Sequence, residues 1–305
     1  MTQVIEVNNL VKKYNTLTAV NQISFQVEKG EIFGLLGENG AGKTTTLEII
    51  EGLRKPTKGQ IKVLGHDAIH RPQTIKNQIG VQLQASAYYN FLTLKEILEL
   101  FASFYEKHLD PMELLEMVGL KKKANTFVGK LSGGQKQRFS IVASLINDPE
   151  IVFLDEPTTG LDPLARRNLW EIINKIKQRG KTIVLTTHYM EEAEVLCNRI
   201  AIMEKGKIVA IDTTQKLIEN AKNPFEIDFE VDNLSEEALT KIEKLGILDK
   251  GIGNKSNTYE LHLKNQSAVN QALAILHELN LKSLLVEKAT LEDVFLELTG
   301  RTLNE

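Results

Sequence analysis

Residues Gly37–Thr45 read GENGAGKTT. Two glycines are followed by a lysine and a hydroxyl residue, at Gly37, Gly42, Lys43 and Thr44. Glycines at this spacing let successive backbone N–H groups curl round an anion. The apolar run Glu31–Leu36 predicts a buried strand before the loop, and Thr45–Ile50 predicts a helix after it. The positive end of that helix would face the same anion. Strand, glycine turn and helix are the context a phosphate cradle needs. Lys43 is then expected to reach the β- and γ-phosphates of a nucleotide, and Thr44 to ligate Mg²⁺. Asn39, Gly40 and Thr45 belong to the same loop and count with it as binding residues.

Three further stretches carry chemistry. Ile151–Leu154 (IVFL) is a short apolar run, as in a strand buried on both faces, and it ends in Asp155 and Glu156. Ligands of open α/β sheets bind at such carboxyl ends. Asp155 suits Mg²⁺ and Glu156 suits a general base for water. Thr182–Thr187 predicts another buried strand, ending at His188 on the same edge. In LSGGQKQR, Ser132 and two glycines precede the helical run Gln135–Leu145. That is either a second anion site at a helix N-terminus or an ordinary cap, and composition does not separate the two. Tyr14 reads on residues alone as a half-covered strand-end aromatic, with a base-stacking ring as the alternative.

Other elements must hold these residues in place. Val4–Val11, Ile23–Val27, Gln60–Leu64 and Asn77–Leu83 read as strands, and Leu164–Gln178 as a helix after Asp162-Pro163. From about 86 to 127 the pattern turns helical, with helices over Leu94–Tyr105 and Pro111–Leu120, the second capped by Asp110. Lys121–Lys123 in this insert reads as a solvated face. Arg199–Met203 and Lys207–Ile211 predict a hairpin round Gly206. A linker is expected at Lys222–Pro224, dividing the chain into 1–222 and 223–305. The second part has the order β-α-β-β-α-β, with a hairpin across Asn254–Asn257 and a last helix over Thr290–Leu298. That order predicts a small ferredoxin-like α+β domain.

Composition excludes several classes. The 305 residues carry a net charge of -3, which gives no reason to expect a nucleic-acid partner. The one cysteine, Cys197, forms no internal disulfide and reads as space-filling. No apolar run has the length of a membrane span and the N-terminus lacks a signal-peptide core. The chain is expected to be soluble alone, so a membrane role requires a partner.

Over about residues 4–215 the sequence resembles an ATP-binding subunit of an ABC transporter. Gly37–Thr44 matches the family's Walker A motif, Leu131–Gln135 its signature, Ile151–Asp155 its Walker B, Leu161–Asp162 its D-loop and His188 its switch histidine. The Q-loop glutamine falls on Gln84. There the family often has Pro-Gln, whereas this chain has Leu83-Gln84, with Gln82 two residues earlier. The resemblance implies a P-loop NTPase fold with an antiparallel β-subdomain and the helical insert. It also implies ATP and Mg²⁺ as cofactors, with Mg²⁺ at Thr44, Gln84 and Asp155. It turns Tyr14 into a base-stacking ring, and makes Glu156, His188 and Gln84 the catalytic group. It places Ser132, Gly133 and Gly134 at the γ-phosphate of a second subunit's ATP and counts Gln135 and Asp162 as nucleotide-binding residues, so a homodimer, or a pair with another ATPase subunit, is implied.

The end of the chain, Ala289–Gly300 (ATLEDVFLELTG), resembles the C-terminal signature of drug- and antibiotic-exporting ABC ATPases of the daunorubicin-resistance type. These are paired with ABC-2-type permeases, which implies work at the cytoplasmic face of the membrane. A soluble ABC ATPase with a regulatory or non-transport role is the alternative. Ribosome-associated relatives join two cassettes in one chain, and chromosome-maintenance relatives separate the Walker motifs by long coiled coils. This chain has one cassette and no heptad run between Lys43 and Asp155.

Overall fold

The computed structural model describes residues 2–82, 88–250 and 257–299. It consists of two units, Met1–Thr214 and Gln215–Glu305. In the first unit the chain runs β1 (Gln3–Tyr14), β2 (Leu17–Glu28), β3 (Ile32–Leu36), α1 (Lys43–Ile50), β4 (Lys58–Val63), β5 (His66–Asp67), α2 (Pro72–Lys76) and β6 (Ile79–Gln82). It continues through α3 (Leu94–Ala102), α4 (Pro111–Met117), α5 (Gly133–Ala143), β7 (Ile151–Asp155), α6 (Pro163–Gln178), β8 (Thr182–Thr187), α7 (Met190–Leu196), β9 (Arg199–Glu204) and β10 (Lys207–Asp212).

Two sheets organise this unit. One is antiparallel with strand order β2-β1-β4-β5. The other has the order β10-β9-β3-β8-β7-β6, in which β9, β3, β8, β7 and β6 are parallel and β10 adds an antiparallel edge. The inner strands β3, β7 and β8 are buried along their whole length, which explains the apolar runs Ile32–Leu36, Ile151–Leu154 and Ile183–Leu185 within them. One core joins both sheets through α1. Val20, Phe25 and Val27 of β2, Phe33 and Leu35 of β3, Leu47, Ile49 and Ile50 of α1, and Phe153 of β7 share it. The Phe25 and Phe33 rings stack 5.2 Å apart. Each such fully buried side chain contributes roughly 1.5–3 kcal/mol. Topologically, β8 lies between the strand that feeds the glycine loop and the strand that ends in Asp155. The carboxyl ends of β3, β7 and β8 therefore share one edge.

The first two strands are longer than the sequence pattern predicts. Between Val7↔Phe25 and Leu10↔Ile23 the register shifts. Asn9 has φ 48 there, and its N–H donates to Ser24 Oγ at 2.8 Å. Such a bulge breaks the two-residue alternation from which strands are read. The helical insert closes on a short neck: Thr93 bridges Phe127 in antiparallel fashion, and the Leu94 N–H donates to Thr126 O. Thr93 and Glu96 form a capping box at α3, and Asp110 caps α4 as expected. Both helices stop short of their expected ends, α3 at Ala102 and α4 at Met117. Ser103, after α3, turns its hydroxyl back onto Leu100 O. The expected first residues of the insert, 86 and 87, lie outside the described residues.

After α8 (Thr214–Glu219), which begins at the last residue of the first unit, the second unit comprises β11 (Phe225–Val231), α9 (Glu236–Glu243), β12 (Gly246–Lys250), β13 (Thr258–Leu263), α10 (Gln266–His277), β14 (Leu281–Lys288) and α11 (Leu291–Thr299). Its sheet order is β12-β13-β11-β14 and every neighbouring pair is antiparallel. This is the ferredoxin-like order for β-α-β-β-α-β. The alternation in Phe225–Val231 puts Ile227, Phe229 and Val231 into a core with Tyr259, Leu261 and Leu263, covered by Ile242 of α9 and by Val269, Ala272 and Leu276 of α10. The turn expected at Asn254–Asn257 lies outside the described residues except for Asn257. The division between units falls before Lys222–Pro224. That stretch is tied into the second unit: Lys222 N–H donates to Glu297 Oε2, and Pro224 O accepts from Ala289 N–H. No described helix is long and apolar enough to cross a membrane.

Candidate functional site

The loop after β3 is shaped by backbone proximity. A Cβ on Gly37 would press on Met203 O, and one on Gly42 would press on Ala19 O. Gly42 also has φ 101, as the residue from which α1 starts. Lys43 is the first residue of α1 and is buried. Its Nζ donates to Gly37 O at 2.7 Å and Glu38 O at 3.0 Å, and lies 3.4 Å from Glu156 Oε1. Burial pushes this ammonium below its ordinary pKa, against the pull of Glu156 and Asp155. Asn39, Gly40 and Thr44 are exposed, and Thr45 is half-buried.

At the end of β7, Asp155 and Glu156 are buried. Asp155 Oδ1 accepts from Thr44 Oγ1 at 3.1 Å and from Thr186 Oγ1 at 2.5 Å. Burial raises the Asp155 carboxyl, and the two hydroxyls oppose that rise. Glu156 leaves the strand with φ 46, an uncommon conformation for a residue with a side chain. Its Oε2 accepts from Thr159 Oγ1 at 3.1 Å and lies 3.3 Å from His188 Nδ1. Burial alone would raise Glu156, but Lys43, Thr159 and His188 together outweigh it and hold the carboxyl below its usual range. Glu156 is therefore ionised at neutral pH.

One further acid sits under this group. Glu51 closes the C-terminus of α1, is 2 % exposed, and neither of its carboxylate oxygens has a hydrogen-bond partner among the described residues. Burial, then the charges of Asp155 and Glu48, push it up to about 8. A folded-state pKa above the unfolded value gives stability that is lost as pH rises from about 4.5 through about 8. Glu51→Gln is therefore expected to raise Tm at about pH 9 and to leave it nearly unchanged at about pH 4, with roughly 2–4 °C per kcal/mol relieved. Thermal melts of both chains across pH check this.

Of the residues picked from sequence, Lys43, Thr44, Asp155, Glu156 and His188 are brought together by these contacts. The signature segment is exposed at Ser132 and Gly133. Ser132 caps α5, and its hydrogen bonds with Gln135 form a capping box. A Cβ on Gly134 would touch Ala165 and lie near Leu161, so the signature adjoins the start of α6. Asp162 caps α6 by accepting from Ala165 N–H at 2.8 Å. Tyr14 ends β1, with Lys12 Nζ 5.0 Å and the Arg54 guanidinium 5.5 Å from its ring centre. Gln84 lies outside the described residues, while Gln82 is buried in β6. Cys197 is buried, and burial pushes its thiol far up, which suits a space-filling role. Sequence reasoning missed Thr159, Thr186 and Glu51. The available signal was two hydroxyls, Thr186 and Thr187, at the end of a buried strand directly before His188.

A glycine loop between a parallel strand and a helix, facing a strand-end carboxylate pair, defines a P-loop nucleotide-binding protein. The family model described as "ABC transporter" matches residues 20–159. The linearmycin resistance ATP-binding protein LnrL of Bacillus subtilis (strain 168) is 37% identical over 99% of this chain and 100% of its own length. The Nod factor export ATP-binding protein I of Burkholderia lata is 37% identical over 99% of this chain and 98% of its own. Among solved structures, an ATP-binding subunit of an ABC transporter aligns with a TM-score of 0.64 at 33% identity, over 70% of this chain and 91% of that one. The cassette MJ0796, in a dimeric post-hydrolysis state with ADP and Pi, aligns at 0.62 and 27% identity, over 68% of this chain and 98% of that one. The chain belongs to the ABC transporter ATP-binding proteins. It binds nucleotide and is an ATPase.

Proposed function

We propose that the chain drives export through an ABC-2-type permease at the cytoplasmic face of a membrane, acting as a pair of ATPase subunits. The observation that carries the hydrolytic half is the convergence of Lys43, Thr44, Asp155, Glu156 and His188 at one sheet edge. The export half is supported by relatives named for linearmycin resistance and for Nod factor and fluoroquinolone export.

The donor set fits Mg²⁺: a buried carboxylate and a hydroxyl, both hard oxygens, 3.1 Å apart. Mg²⁺, when held by Thr44 and Asp155, neutralises charge on the phosphate oxygens. The loop N–H groups and Lys43 bind the β- and γ-phosphates of ATP, and Tyr14 stacks on the base. Glu156, ionised and held by Thr159 and His188, accepts a proton from the attacking water. His188 keeps that carboxylate aimed and contacts the γ-phosphate. Most of the rate gain is then positioning and charge stabilisation of phosphoryl transfer.

The signature Ser132–Gln135 and Asp162 act on the ATP of the partner subunit. The exposure of Ser132, Gly133 and Asp162 and the dimeric state of the similar MJ0796 cassette support this. ATP touches both subunits and so favours the closed pair. Hydrolysis removes that differential binding. The helical insert provides the dock for the permease. Tyr89, Phe91 and Phe104 lie exposed around it, with the first two rings 5.8 Å apart.

The test is transport. Cells carrying the chain with its permease are expected to accumulate less of an exported antibiotic than cells without it, and Lys43→Ala is expected to abolish the difference. Equal protection by the Lys43→Ala chain would overturn the proposal.

A further inference from the structure

Thr186 has a fully buried side chain in β8, directly opposite Asp155 in the parallel ladder. Its hydroxyl makes two bonds of opposite sense. It donates to Asp155 Oδ1 at 2.5 Å and accepts from the Glu156 backbone N–H at 3.0 Å. The same N–H also reaches Thr186 O at 3.2 Å. One hydroxyl supplies one donor and two acceptor lone pairs, so both bonds form at once. A β-branched side chain on a strand has little χ1 freedom, so the oxygen is held where the backbone puts it. The neighbouring Thr187 O accepts from Gly37 N–H at 3.3 Å. The end of β8 thus touches the start of the glycine loop on one side and both strand-end carboxylate residues on the other.

We propose that Thr186 is a positioning residue for ATP hydrolysis: its hydroxyl fixes the Asp155 carboxylate and pins the left-handed turn that presents Glu156. Asp155 has two oxygens and two hydroxyl partners, both on Oδ1. Loading Oδ1 in this way orients the carboxyl group. Glu156, at φ 46, needs a bond that holds its backbone in that strained state, and Thr186 supplies one through its side chain and a second through its carbonyl. The inference rests on the proposed roles of Asp155 and Glu156.

Three variants separate the possibilities. Thr186→Val keeps the shape and removes both side-chain bonds, Thr186→Ser keeps the bonds, and Glu156→Gln serves as the control for the underlying reading. Thr186→Val is expected to lower kcat by about 10–100-fold, the loss of one or two positioning bonds. It should leave the affinity for a fluorescent ATP analogue without Mg²⁺ within about twofold, while the Mg²⁺ concentration that tightens that binding rises several-fold. Thr186→Ser is expected to restore both readouts. A Thr186→Val chain with wild-type kcat and Mg²⁺ dependence overturns the inference. So does a Thr186→Ser chain as impaired as Thr186→Val, or a Mg²⁺-free affinity that collapses together with kcat. A Glu156→Gln chain that still hydrolyses ATP at the wild-type rate overturns the underlying reading instead.

Discussion

Glu156→Gln is expected to lower kcat for ATP by about 10²–10⁴-fold, the usual contribution of a positioned general base. Nucleotide affinity should stay within a few-fold, because the glycine loop and Lys43 are unchanged. The substitution keeps the size of the side chain and its bond from Thr159, but removes the charge that lies 3.4 Å from Lys43 and 3.3 Å from His188. Gln does not accept a proton from water, so substrate binding survives and turnover does not. Loss of a charge that faces a buried ammonium also costs stability, so the melting temperature must be recorded beside the rate. Single-turnover hydrolysis with equilibrium nucleotide binding checks the split. A loss of binding as large as the loss of rate would place Glu156 in ground-state binding and remove it as the base.

Ser132→Arg carries the second large effect. Steady-state turnover is expected to fall to background, while nucleotide binding to the chain's own Lys43 loop stays nearly untouched. Ser132 caps α5 and shares its bonds with Gln135, so its replacement alone costs about 1 kcal/mol of local stability. Ser132→Ala removes the same cap without adding bulk or charge. That variant measures the capping cost and should retain measurable turnover. The difference between Arg and Ala is then the effect of obstructing a surface that Ser132 and Gly133 leave exposed. Full turnover in Ser132→Arg would mean that the signature takes no part in the site.

How much of this was legible in the sequence depended on whether the information was local. The glycine loop is contiguous, and its strand and helix flank it directly, so Lys43 and Thr44 were found from spacing. Asp155 and Glu156 stand out because the apolar run Ile151–Leu154 stops at them. The ferredoxin-like order was legible because Ile227, Phe229 and Val231 alternate with acids in its first strand. The lengths of β1 and β2 were hidden because the bulge at Asn9 breaks that alternation. The short helix α7 was missed, since seven residues with Glu191, Glu192 and Glu194 give little apolar periodicity. Thr186 and Glu51 were not legible as parts of the site. Their meaning depends on β8 lying between β3 and β7, and on the C-terminus of α1 coming close to Asp155. These are facts of sheet order and packing, which no window of sequence contains. The signature serine was legible as a helix cap. Its proposed second use, at the ATP of another chain, rests on the family resemblance alone.

In the proposed pair, each ATP is enclosed by the loop of one subunit and the signature of another. Sedimentation of the Glu156→Gln chain with Mg²⁺ and ATP tests it most directly, with ADP and the Ser132→Arg, Glu156→Gln double variant as controls. Twice the chain mass is expected with ATP, and single-chain mass with ADP and for the double variant with ATP. Single-chain mass for Glu156→Gln at saturating ATP, or an ATP-induced pair that survives Ser132→Arg, would contradict it.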